Sequence, residues 1–161
     1  MAFDRHAPVR SLMATDLLTA TPDTGIDEVR DCFTRHGIHH LPVVSEAGEL
    51  LGILSHTDLF KAAPWDADSP RVEVGDLMTI DPVVVREDDP LELAVALLAG
   101  GMFHALPVVD DEGYLSGIIT TSTILRTLIT EEAGEEDVDE DEADDDDGDD
   151  EGLALAGGCD A

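Results

Sequence analysis

A block of this chain is written twice at a constant offset of 65 residues. Leu41-Pro42-Val43-Val44 returns as Leu106-Pro107-Val108-Val109, and Leu12-Met13 returns as Leu77-Met78. Gly52-Ile53-Leu54-Ser55 returns as Gly117-Ile118-Ile119-Thr120. No gap is needed to align the copies. A tandem doubling of this kind predicts two similar units packed face to face. It also predicts paired clefts at their junction, where a small ligand would sit.

Each copy reads as strand, helix, strand, strand, helix. In the first, a segment at 9–13 leads to a weak strand near 17–20. Asp23-Thr24 opens a helix with Ile26, Val29 and Phe33 on one face, and Gly37 ends it. Short apolar strands follow at 41–44 and 50–54 around a turn at Glu46-Ala47-Gly48, and a second helix is expected from 55 to about 63. In the second copy Val83-Val84-Val85 is β-branched and reads as a strand. Asp89-Pro90-Leu91-Glu92 reads as a helix start, with Asp as cap and Glu placed for a reciprocal bond. Leu91, Ala94, Leu97 and Leu98 make its buried face. Strands at 105–109 and 114–119 flank a turn at Asp111-Glu112-Gly113, and a last helix runs from 120 to about 130. The fold class is therefore α/β (α+β). The units are residues 8–63 and 74–130, joined by a linker at 64–73, where Trp65 is expected to pack on the body.

Beyond residue 130 the composition changes. Residues 131–161 hold 17 acidic side chains and no Lys or Arg. Such a stretch buries too little apolar surface to offset chain entropy, and disorder is expected. The remaining body is also acidic, and Lys61 is the chain's single lysine. The formal net charge of −30 argues against nucleic acid and against an anionic membrane surface, since no basic stripe exists to meet phosphates. An acid-rich, lysine-poor surface suits concentrated salt, where carboxylate repulsion is screened, so a salt-adapted source is expected. No apolar run approaches a membrane span and the N-terminus lacks a signal-peptide core, so the expected location is cytoplasmic. Cys32 and Cys159 form neither a disulfide framework nor a metal spacing, and Cys32 is expected to be buried in its helix.

The ordered set Leu-Met, strand, helix, Leu-Pro-Val-Val, acidic-Gly turn and Gly-apolar-apolar-Ser/Thr-x-x-Asp resembles the CBS domain, named for cystathionine β-synthase. It is present here as a tandem pair, the Bateman module, over about residues 8–130. The resemblance implies a pseudo-two-fold pair of repeats that binds an adenosine-containing ligand: AMP, ADP, ATP or S-adenosylmethionine. It also implies a homodimer, a flat disc of four repeats. With no enzyme fused to it, the module is expected to signal to a separate, unidentified protein.

The sharpest local feature is Gly52-Ile53-Leu54-Ser55-His56-Thr57-Asp58, where a strand gives way to a helix. A free helix N-terminus suits phosphate, and the Ser55 and Thr57 hydroxyls add donors. The resemblance assigns Asp58 to both ribose hydroxyls, a task for which a carboxylate has two acceptor oxygens. Ser-x-x-Asp at a helix start also reads as an ordinary reciprocal cap, and the two roles are compatible. His56 falls within this stretch, and His39 and His40 come just before Leu41-Pro42. The resemblance gives the His39-His40 position to residues that reach ligand phosphates, and a plain hydrogen bond to a backbone carbonyl is the other reading. The resemblance implies that Thr79 and Val83 of the second copy reach the Asp58 cleft. Val43 and Ile53 are candidates to wall the adenine or to sit in the core. The second copy has Thr123 where the acid belongs, so a weaker or altered site is expected there, built from Thr120, Ser122, Thr123 and His104. His39, His40 and His104 lack a local metal spacing, and no metal is assigned.

Two functions compete. One is a regulatory sensor in which the ligand favours one arrangement of the repeats. The other is a ligand-independent dimerisation or docking scaffold. No nucleophile elbow, P-loop or metal motif supports an enzyme.

Overall fold

The computed structural model describes residues 3–61 and 71–132; Trp65 and the acidic segment after 132 lie outside the described residues. Two three-stranded sheets form. The first contains β1 (His40–Val44), β2 (Leu50–Ser55) and β3 (Thr79–Ile80), the second β4 (Val85–Arg86), β5 (Ala105–Val109) and β6 (Leu115–Thr120). The helices are α1 (Ile26–His36), α2 (Val74–Leu77), α3 (Leu91–Ala99) and α4 (Thr121–Glu132). Each hairpin is antiparallel and in the same register, with Leu41 opposite Leu54 and Leu106 opposite Ile119. All four of those side chains are fully buried.

The two units exchange their leading segments. β3 comes from the second copy but pairs with β2 of the first, Thr79 lying opposite Ile53. Its counterpart is the bridge from Ala14 to Ile118. Val9, at the head of the chain, is buried among Val85, Leu91, Leu106 and Ile119, and Val74 is buried among Ile26, Leu41 and Leu54. The hairpin ends meet as well, with Glu49 bridged to Tyr114, its own repeat equivalent. Hydrophobic burial, the dominant favourable contribution to folding, is thus shared between copies. Val74→Ala should lower stability by about 1–2 kcal/mol even though it alters the core under the other copy's helix. Urea denaturation followed by circular dichroism measures this, and an unchanged midpoint would refute the exchange.

The exchange also explains where the expected elements differ. Ile26 N–H donates to the Val72 carbonyl at 3.1 Å, and Leu91 N–H donates to the Ala7 carbonyl at 2.9 Å. The swapped backbone therefore occupies the positions that capping side chains would fill. Neither α1 nor α3 has a side-chain cap, Gly25 and Pro90 being their N-caps. Asp89 instead accepts from Arg86 N–H at 2.8 Å, and Glu92 N–H donates to the Arg5 carbonyl. The capping box that does form is Glu73 with Asp76 on α2. Of Val83-Val84-Val85 only Val85 enters the core; the other two are more than a third exposed, and the strand is Val85–Arg86. In the segment 17–20 only Ala20 pairs, with Val43, and 9–11 is a turn of 3₁₀ helix. The helix expected from 55 is a 3₁₀ turn over His56–Lys61, while Gly37 ends α1 in the left-handed conformation and Cys32 is buried, both as expected.

Candidate functional site

A cleft of about 360 Å³ opens where the copies meet, within the size range of small-molecule sites. The first copy supplies His40, Ile53, Ser55, Thr57 and Asp58. The second supplies Thr79, Asp81, Pro82 and Val83 from the β3 side, and Met102, Phe103, His104 and Ala105 from the loop entering β5. The strand exchange makes this possible. Pairing of Thr79 with Ile53 sets the 79–83 segment beside the end of β2, where Ser55 turns into Asp58.

Asp58 is the buried charged residue of the described chain, 6% exposed. Its Oδ2 accepts from Ser55 N–H at 2.9 Å and from Ser55 Oγ at 2.6 Å. Its Oδ1 pairs with Lys61 Nζ, and Thr57 Oγ1 lies 2.8 Å from Ser55 Oγ. Burial pushes the carboxyl up, but the hydrogen bonds from Lys61 and Ser55 outweigh it and hold Asp58 below the usual carboxylate range. The group is ionised at neutral pH. The stability it adds is present above the ordinary carboxylate range and is lost as pH falls through the lowered value.

His40 sits opposite Ser55 in the β1–β2 register. Burial lowers its pKa, the neighbouring His104 and His39 lower it further, and Asp58 opposes them. The ring is therefore neutral at neutral pH. A base whose folded pKa is lowered costs stability as pH falls below its ordinary value near 6.5. Acidification from pH 7 to pH 5 should lower Tm more in the wild type than in His40→Gln, as thermal melts at each pH will show. Equal losses would contradict this placement of His40.

Among the expected site residues, the cleft brings together His40, Ser55, Thr57, Asp58, Thr79 and Val83. His39 and His56 lie elsewhere. The His56 ring packs against Phe33, His39 and Phe60 with centroids 5.5–6.0 Å apart. Its N–H donates to the His39 carbonyl at 2.8 Å. The open helix N-terminus expected for phosphate is therefore a short 3₁₀ turn with two of its leading N–H groups already bonded, Ser55 to Asp58 and His56 to His39. His104, expected in the second cleft, lines the first one, and its carbonyl accepts from Thr121 N–H at 3.1 Å. Thr120, Ser122 and Thr123 lie at the start of α4. There Thr120 Oγ1 accepts from Thr123 N–H and pairs with Thr123 Oγ1 at 3.0 Å. Thr120 thus caps α4 at Thr123, the position where Asp58 of the first copy lines a cleft. Val43 is fully buried in the core, and Ile53 lines the cleft.

Sequence reasoning did not single out Asp81, Pro82, Met102, Phe103 or Ala105. The signal lay in the 65-residue offset. Met102 to Ala105 is the counterpart of Gly37 to His40, and both loops contribute to the cleft at Asp58. Among the described residues no cluster of His, Cys, Asp and Glu is placed to hold a metal, and no helix is long and apolar enough to cross a membrane.

Two exchanged copies around a shared cleft define a paired ligand-binding fold. The CBS domain model matches residues 9–64 and again 74–130, and the chain belongs to the CBS domain family. Its structure resembles that of CBSX2 from Arabidopsis thaliana, solved in complex with AMP. That match has a TM-score of 0.68 at 32% identity and covers 78% of this chain and 98% of that one. It resembles equally the CBS domain pair of MJ0100 in complex with 5′-methylthioadenosine and S-adenosyl-L-methionine, with a TM-score of 0.68 at 28% identity and coverage of 78% and 98%. In sequence it is 34% identical over 114 residues to a homoserine O-acetyltransferase of Methanocorpusculum labreanum, across 68% of this chain and 23% of that enzyme. It is 37% identical over 111 residues to an inosine-5′-monophosphate dehydrogenase of Methanocaldococcus jannaschii, across 69% of this chain and 21% of that enzyme. The chain thus spans less than a quarter of these enzymes, and CBS pairs are in general regulatory rather than catalytic.

Proposed function

We propose that this chain is a regulatory module that holds an adenosine-containing ligand in the cleft around Asp58 and signals to a separate protein through a change in the packing of its copies. The observation that carries the reading is Asp58 itself. It is ionised, almost wholly buried, and set on the wall of a cleft of nucleoside size. Structures of the same fold were solved in complex with AMP, or with 5′-methylthioadenosine and S-adenosyl-L-methionine. Ser55 already points two donors at Oδ2, so ribose hydroxyls would share that carboxylate with Ser55 and Lys61 rather than find it bare. AMP, ADP, ATP and S-adenosylmethionine are the candidate ligands. Ligand changes the module only by the difference in its affinity for the two arrangements. The second cleft, with Thr123 in place of the acid, is the weaker one.

A homodimer is part of the same reading. Leu125, Leu128 and Ile129, at helical spacing on α4, are 40–66% exposed, and Phe60, the repeat equivalent of Leu125, is 78% exposed. That stripe also favours the alternative reading, a scaffold that uses the fold only to dimerise or dock. The acidic, lysine-poor composition supports a salt-adapted source, and a cytoplasmic location belongs to the same proposal. Titration calorimetry with AMP, ADP, ATP and S-adenosylmethionine in concentrated salt separates the two readings. Saturable heat with at least one of them is expected. Silence with all of them leaves the scaffold.

A further inference from the structure

From the charges that face the cleft, and resting on the adenosine reading above, we infer that it selects adenosine derivatives carrying no net negative charge at the 5′ position. Asp81 is the residue that sets this preference. All eight Lys and Arg side chains of the protein fall within the described residues, and none lines the cleft. Arg10 and Arg86 are held by Asp88 and Asp111, and Arg71 by Glu28. Lys61, the nearest cation, is paired with Asp58. Two carboxylates line the same space, Asp58 and Asp81. Lys61 balances the first. The Asp81 side chain has no hydrogen-bond or ion-pair partner among the described residues. His40, half-buried beside His104 and His39, is neutral and adds no cation.

Asp81 is also held in place by the backbone. It is the one non-glycine residue of the described chain with a positive φ, 50°, and its N–H reaches the Leu51 carbonyl at 3.4 Å. Asp tolerates this left-handed conformation better than most residues. The cleft is small, on the order of 9 Å across, which is about the Debye length in physiological salt. A phosphate anywhere inside would meet the Asp81 charge largely unscreened. The remaining wall suits a different substituent. Pro82, Val83, Met102 and Phe103 are apolar, and Val83 and Met102 are 39% and 81% exposed. A thioether or a sulfonium with alkyl arms meets that wall without the repulsion a phosphate meets.

The test is titration calorimetry of the full chain at low and high salt with four probes: 5′-methylthioadenosine, S-adenosylmethionine, AMP and ATP. The wild type should bind the two sulfur nucleosides about tenfold more tightly than AMP, and AMP more tightly than ATP. The gap should narrow as salt rises. Asp81→Asn keeps a residue that accepts positive φ, and thermal melting checks that it folds. It should shrink the ratio of methylthioadenosine to AMP affinity by about fivefold and flatten its salt dependence. AMP or ATP binding as tightly as the sulfur nucleosides overturns the inference, and so does a ratio that Asp81→Asn leaves unchanged. Binding of none of the four is a different failure, that of the adenosine reading itself.

Discussion

Gly52→Ala should cost at least ~3 kcal/mol of stability and lower Tm by about 10 °C, although Gly→Ala on an ordinary strand is neutral or stabilising. A Cβ at Gly52 would stand 2.8 Å from the Thr79 carbonyl oxygen and 2.8 Å from Met78 Sδ. The sulfur can move. The carbonyl cannot, because Thr79 pairs with Ile53 in the sheet. The strand that would be pushed away carries Thr79 and leads into Asp81, so the cleft should open as the fold weakens. Gly117→Ala tests the same contact on the other side, where a Cβ would meet Met13 Sδ at 2.5 Å and the Ala14 carbonyl oxygen at 3.0 Å. Differential scanning calorimetry of both variants decides the matter, and wild-type melting for either would mean the exchanged strands do not dock as described.

That contact explains why Leu-Met and Gly recur at the same offset, a fact that was visible in the sequence without its cause. Met13 and Met78 each lie over the glycine of the other copy. The hairpins were equally legible, since alternation and turn residues are local signals. The exchange was not. Periodicity says which face of a segment is apolar but not which copy that face is buried against. Pro90 and Gly25 show the result. Helix starts that read as side-chain capped are completed by backbone arriving from the other copy's segment, Val72 for Ile26 and Ala7 for Leu91.

The site follows the same division. Asp58, Ser55 and Thr57 were legible because a strand-to-helix junction with hydroxyls and an acid is a local pattern, and their hydrogen bonds are to one another. Thr79 and Val83 were reached through the family resemblance, and they line the cleft. Asp81, one residue beyond β3, was passed over because an acid before a proline reads as a turn. Equivalence by offset puts His104 with Thr120, and in the structure it lines the Asp58 cleft.

Asp58→Asn and Asp58→Ala should separate the two tasks that this carboxylate combines. As a cap, one oxygen takes both Ser55 bonds, and a single amide oxygen serves the same purpose. Asp58→Asn should therefore melt close to the wild type. Asp58→Ala removes the acceptor and should lose about 1 kcal/mol, the ordinary worth of such a cap. The Lys61 pair adds little to that figure, since the lysine side chain is 70% exposed. As a ligand group, the residue needs acceptor capacity on both oxygens and a full negative charge. Hydrogen bonds to a charged group are worth about 1.5–3 kcal/mol each, so either substitution should weaken binding of whichever adenosine compound the wild type takes by about 100-fold or more. Calorimetry beside thermal melts gives both readouts on the same samples. Loss of stability in Asp58→Ala with binding intact in Asp58→Asn would leave Asp58 a structural cap, and the cleft would need another residue to hold its ligand.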